Sequence, residues 1–94
     1  MDGRGMYVFE GGHKYVGYFS GGKFQGEGTY TWADGSKYEG TWHQNKKEGQ
    51  GTVFLQSGDK YTGTWKSGKK HGTFTYTWAN GQSRQMEWVM GEKQ

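Results

Sequence analysis

Tyr38-Glu39-Gly40-Thr41-Trp42, then Glu48-Gly49-Gln50-Gly51, then Gly58-Asp59-Lys60-Tyr61 is the stretch that decides the fold. Tyr38, Gly40 and Trp42 alternate with polar residues, which places them on one face of a strand. Tyr61 stands 23 residues after Tyr38, and the same step runs through the chain. Gly3, Gly26, Gly49 and Gly72 keep it; so do Gly12, Gly35, Gly58 and Gly81. Gly5, Gly28 and Gly51 keep it until Phe74, and Gly17, Gly40 and Gly63 until Met86. Aromatic columns share the period: Tyr15, Tyr38, Tyr61; Phe19, Trp42, Trp65, Trp88; Tyr7, Tyr30, Val53, Tyr76; Phe9, Trp32, Leu55, Trp78. So many columns at one spacing define an internal repeat.

The units are 15–37, 38–60 and 61–83, with a half unit at 1–14 and a degenerate closing segment at 84–94. Gly28-Thr29-Tyr30-Thr31-Trp32 repeats the alternation, and threonine on the second face suits a strand. Ala33-Asp34-Gly35-Ser36 and Gln56-Ser57-Gly58-Asp59 read as tight turns. Asn45-Lys46-Lys47-Glu48-Gly49 reads as a longer polar loop. Strands are expected near 5–9, 14–20, 28–32, 37–43, 51–56, 60–66, 73–78 and 83–89. A short helix is conceivable around Met86-Glu87-Trp88-Val89-Met90, yet Trp88 stays in register with the strand column. The fold class is all-β: an extended single-layer antiparallel meander of stacked hairpins. One hairpin alone is marginal in water, so the units must stack.

Composition bounds the alternatives. The chain has 94 residues, 30% hydrophobic, with mean hydropathy −1.13, which by itself points toward disorder. Aromatics at 18% and a net charge of only +3 oppose that reading. The 19 glycines come without proline, which excludes collagen. Without cysteine there is no disulfide or thiolate metal site. No segment has the length of a membrane span. No apolar stretch follows Met1-Asp2-Gly3-Arg4-Gly5, so no signal peptide is expected and a cytoplasmic location is.

The quoted motif resembles the MORN (membrane occupation and recognition nexus) repeat: Tyr-x-Gly-x-aromatic, Gly-x-Gly, and a glycine ahead of the next tyrosine. Unit 15–37 carries it through Tyr15, Gly17, Phe19, Gly26, Gly28 and Gly35. Unit 61–83 carries it through Tyr61, Gly63, Trp65, Gly72 and Gly81, with Phe74 in place of a glycine. Arg84 and Met86 depart from it, as a closing strand does. The resemblance implies a MORN-type solenoid that attaches to partner proteins, to cytoskeletal structures or to anionic membranes. It implies no catalytic residues and no cofactor.

The candidate partner surface is the aromatic face: Tyr15, Phe19, Tyr30, Trp32, Tyr38, Trp42, Tyr61, Trp65, Tyr76 and Trp78. A one-layer sheet leaves such rings to receive a peptide or helix. The alternative is binding of anionic phospholipid headgroups by Lys66, Lys69 and Lys70. Those three residues hold the whole net charge, since every other segment sums to zero. Lys14, Lys37, Lys60 and Lys23, Lys46, Lys69 form two further columns expected along opposite rims. A single basic spot is too little for nucleic acid. His13, His43 and His71 lack metal-ligand spacing. Gly17 to Lys23 and Gly63 to Lys69 look superficially like phosphate loops, but the required helix does not follow. The reading is a non-catalytic protein-binding scaffold. Gly5-Met6-Tyr7-Val8-Phe9 is apolar on both faces and uncharged, so it is expected to seek a strand: from a second copy, head to head, or from a preceding repeat.

Overall fold

Two kinds of turn alternate along the chain. In the computed structural model, which describes residues 2–93 apart from the Lys93 side chain, Gln44 and Asn45 both have positive φ (47° and 70°). They close a two-residue hairpin in which His43 faces Lys46. This primed turn matches the natural twist of its strands. The same turn falls at 21–22, 67–68 and 90–91. The second kind spans three residues: Trp32 N–H donates to Ser36 O (2.8 Å), and Gly35 N–H returns to Trp32 O (3.0 Å). Gly35 at φ 96° supplies the left-handed residue that this loop needs.

These turns join ten antiparallel strands, and no helix occurs among the described residues. They are β1 (Gly3–Val8), β2 (Lys14–Ser20), β3 (Lys23–Thr31), β4 (Lys37–His43), β5 (Lys46–Phe54), β6 (Lys60–Lys66), β7 (Lys69–Lys70), β8 (Gly72–Thr77), β9 (Ser83–Val89) and β10 (Glu92–Lys93). The strands follow one another in chain order across one sheet, with β7 paired beside β6. The all-β single-layer meander is thus the observed fold. Met1 and Gln94, the outer ends of the expected 1–14 and 84–94 segments, lie outside the described residues.

One expectation needs correction. The stretch 45–49 is not a long loop: the turn takes two residues and β5 starts at Lys46, as β3 starts at Lys23 rather than 28. The run Lys46-Lys47-Glu48 lacks apolar alternation, because Lys47 occupies an inward position that an apolar residue normally fills. The strand expected at 83–89 is observed as β9, and the short helix conceived around 86–90 does not form.

Each repeat carries the same irregularity. Gly40 faces Gly51 and Trp42 faces Lys47, so β5 holds two extra residues at that point. Gly49, at φ 79°, sits within the bulge. Gly17 and Phe19 on β2 show the same shift against β3. In the third unit the bulge interrupts pairing enough to separate β7 from β8. A bulge bends the strand and increases its twist.

The core lies on one face. Tyr15, Phe19, Tyr38, Trp42, Val53, Trp65 and Phe74 are buried. Tyr38 lies flat over Gly51, whose Cβ would collide with its ring, and its hydroxyl donates to Thr41 O (3.0 Å). Tyr15 repeats this over Gly28 and donates to Tyr18 O (2.9 Å). Trp42 Nε1 donates to Gly28 O (3.1 Å), which ties one repeat to the previous one. In the third unit Phe74 replaces the glycine, and its ring lies over Gly63 instead. The opposite face carries a polar row, in which Thr29 faces Glu39, Glu39 faces Thr52, Thr52 faces Thr62 and Thr62 faces Thr75.

Candidate functional site: the aromatic groove

The expected aromatic face divides in two. Tyr15, Phe19, Tyr38, Trp42 and Trp65 are buried in the sheet's own packing. Tyr30, Trp32, Tyr61 and Tyr76 are half-buried and Trp78 is exposed, so these five keep ring surface open to solvent. Half-buried Phe9 and Phe24 join them. At the β1 end, Tyr7, Phe9, Phe19, Phe24 and Tyr30 line a depression of about 420 Å³. Centroid separations such as 5.7 Å for Phe9–Tyr30 and 5.0 Å for Tyr30–Trp32 make the rings one continuous surface.

Lys47 and Lys70 sit in this surface, one repeat after Phe24 and two repeats after it. Lys47 faces Trp42 across the β4–β5 ladder, and cross-strand partners share a face. Its Nζ lies 5.1 Å from the Trp65 ring centre and 5.5 Å from those of Trp32 and Tyr38. Lys70 faces Trp65, and its Nζ lies 4.1 Å from the centres of both Tyr61 and Trp88. Ring quadrupoles attract a cation at such distances. Burial among the rings pushes both lysines below the ordinary lysine range. The tyrosines beneath respond oppositely: burial raises Tyr15, Tyr38 and Tyr61 above the ordinary phenol range.

The three lysines of the basic third unit do not form one patch. Lys66 and Lys69 pair across the turn and point to the polar face, whereas Lys70 points into the groove. Lys37 and Lys60 flank Phe54 on the polar face, 5.1 and 6.0 Å from its ring centre. Lys37 also pairs with Glu39 at 3.0 Å.

A second regularity runs along the rim. Asp2, Gln25, Glu48 and His71 form a column of step 23. Each accepts a backbone N–H from the primed turn of the following unit: Gly21 (2.6 Å), Gln44 (3.1 Å), Ser67 (3.0 Å) and Met90 (3.2 Å). The sequence signal was an acceptor in every row of that column. On the other rim, Asp59 accepts from Tyr76 Oη and from Ala79 N, both at 2.8 Å. These side chains hold turns, and among the described residues no three metal-ligating groups cluster.

The MORN repeat model matches residues 15–37, 38–60 and 61–83. The chain belongs to the MORN repeat family. No curated protein matches it. MORN repeats are non-enzymatic modules that bind proteins or membranes. Among the described residues of this MORN chain, no helix is long and apolar enough to cross a membrane.

Proposed function

We propose that this MORN array is a non-catalytic scaffold whose aromatic groove holds a segment of a partner protein. The supporting observation is the row of half-buried rings, Phe9, Tyr30, Trp32, Tyr61 and Tyr76, on a sheet over which the described residues form no second layer. Apolar surface left open in this way marks an interaction site. β1 adds a second attachment point: Met6, Tyr7 and Val8 are 59, 51 and 63% exposed at the edge of the sheet order, and an edge strand accepts another strand, including one from a second copy. Contact with anionic headgroups is the competing use, and the pairing of Lys66 with Lys69 on the polar face supports it.

The experiment is affinity capture with the chain and with a Trp32→Ala, Tyr76→Ala variant, at about 0.15 M and 1 M salt, beside sedimentation with phosphatidylserine vesicles. A groove partner is expected to be lost with the variant and largely kept at high salt, because apolar contact is not screened. Vesicle binding that disappears at high salt and ignores the variant, with no protein lost, would make the lipid surface the main one.

A further inference from the structure

Position 24 of the first unit and its equivalents, Phe24, Lys47 and Lys70, form one column along the groove. We propose that Lys47 and Lys70 read carboxylates, and that the groove's partner is an amphipathic helix with acidic residues seven positions apart on its apolar face. This rests on the groove reading above and specifies its ligand chemistry.

Both ammonium groups are surrounded by rings rather than by anions. Among the described residues, neither has a carboxylate within ion-pair distance, and neither ammonium is a sealed, unpartnered group, so each keeps donors open toward the groove. An ammonium has three donors, and ring faces leave them open. Four of the chain's acids are engaged elsewhere. Glu39 holds Lys37, Glu48 holds Ser67 N–H, Asp59 holds Tyr76 and Ala79, and Glu87 takes the Thr73 hydroxyl. Among the described residues, the groove therefore carries cations without internal counter-ions, and its complement is an acid. A pair formed there is partly shielded from water, so it is worth more than one at the surface.

Spacing selects the helix. Lys47 on β5 and Lys70 on β7 are two strands apart, which is about 10 Å at ordinary sheet spacing. Residues seven apart on a helix rise about 10.5 Å and stay on one face. In an extended strand, same-face residues fall at about 6.6 or 13 Å and miss. The partner's apolar residues would meet the open faces of Tyr30, Trp32 and Tyr76, with a further apolar one over Phe24. A flat membrane fits less well, because it would meet Lys66 and Lys69 on the opposite face first.

The probe is a display library of random 16-residue peptides, selected on the full chain and on Lys47→Met, Lys70→Met. Circular dichroism checks that the variant is folded. Peptides selected on the wild type are expected to carry acidic residues at i and i+7. Their affinity should fall at least ten-fold on the variant, and by the same factor when those acids become glutamine. The two changes together should cost no more than either alone, as a direct pair requires. Selected peptides without acidic preference that are still lost with Trp32→Ala, Tyr76→Ala would overturn the carboxylate reading and leave the groove reading intact. Acids three apart would overturn the helical occupant. Peptides indifferent to both variants, or no selected peptide, would overturn the groove reading itself. Lysine-dependent sedimentation with phosphatidylserine vesicles in place of peptide binding would assign the column to lipid.

Discussion

Units 15–37 and 61–83 build the same hairpin with different parts. In the first, Tyr15 lies over Gly28 and is fully buried, with Phe24 above it at 3.8 Å between ring centres. In the third, Phe74 stands in the glycine's place and lies over Gly63. Tyr61 is then only half-buried, stacked on Tyr76 at 12° and 6.1 Å, and Lys70 covers it in place of Phe24. The niche above the central glycines takes one ring, whichever strand supplies it. Once Phe74 supplies that ring, the tyrosine moves outward into the groove. The middle unit separates the two changes: it keeps Tyr38 over Gly51, yet it already has Lys47 in the Phe24 column. The packing switch at position 74 and the charge switch at 47 and 70 are therefore independent.

Phe74→Gly tests the first switch and carries the largest expected effect. Removing a fully buried ring costs about 3–5 kcal/mol if the niche stays empty. That lowers the melting temperature by more than about 10 °C for a domain of this size. A loss below about 1 kcal/mol would mean that Tyr61 has dropped onto residue 74 and rebuilt the first unit's arrangement.

Gly40→Val and Gly63→Val probe the floor of the two arrangements. A Cβ at Gly40 would meet Gly51 Cα at 2.5 Å and Gln50 O at 2.6 Å, which are backbone atoms. At Gly63 it would meet the Phe74 ring at 2.6 Å. Both valines should destabilise by about 1–3 kcal/mol in a denaturant titration, Gly40 more than Gly63, because a ring yields more readily than a ladder. Equal stability of both variants and the wild type would show that the glycine columns are not contact points.

Lys47→Met with Lys70→Met sharpens the charge comparison and has the smallest effect on stability, within about 1 kcal/mol at neutral pH, since lost ring attraction opposes relief of burial. The pH dependence has a definite sign. Burial lowers both lysines, so between their lowered values and the ordinary lysine value the unfolded chain binds more protons. Wild-type stability should therefore rise relative to the variant as pH climbs through that alkaline window. Tyr38, raised by burial, pulls the other way above about pH 10, where the unfolded phenol ionises first. It does so in both proteins and cancels in the difference. A stability gap that stays flat with pH would mean that the ammonium groups are not held among the rings.

Much of this was legible in the residues. Columns such as Tyr15, Tyr38, Tyr61 and Gly28, Gly51 announce a hairpin repeat, because a ring and the bare backbone beneath it must recur together. The strands that open on Lys-Tyr, β2, β4 and β6, fall where alternation places them. The early parts of β3 and β5 do not, because Lys23 and the pair Lys46-Lys47 read as loop. Lys70 was grouped with Lys66 and Lys69 by charge, although its column mate Phe24 placed it on the aromatic side. The rim column Asp2, Gln25, Glu48, His71 was visible by period but shares no chemistry beyond accepting a hydrogen bond.

The period by itself determined the fold, since a 23-residue pattern of rings and glycines has one economical solution, a stacked meander with one apolar face. Which rings stay open was decided only in three dimensions. Tyr15 and Tyr61 share a column, yet one is sealed and the other lines the groove, because Phe74 comes from a neighbouring strand to fill the niche. Which lysines face the rings was decided the same way. The two extra residues in each bulge carry the strand past its glycine, so Lys47 and Lys70 meet Trp42 and Trp65 on the aromatic face, a pairing set by cross-strand register.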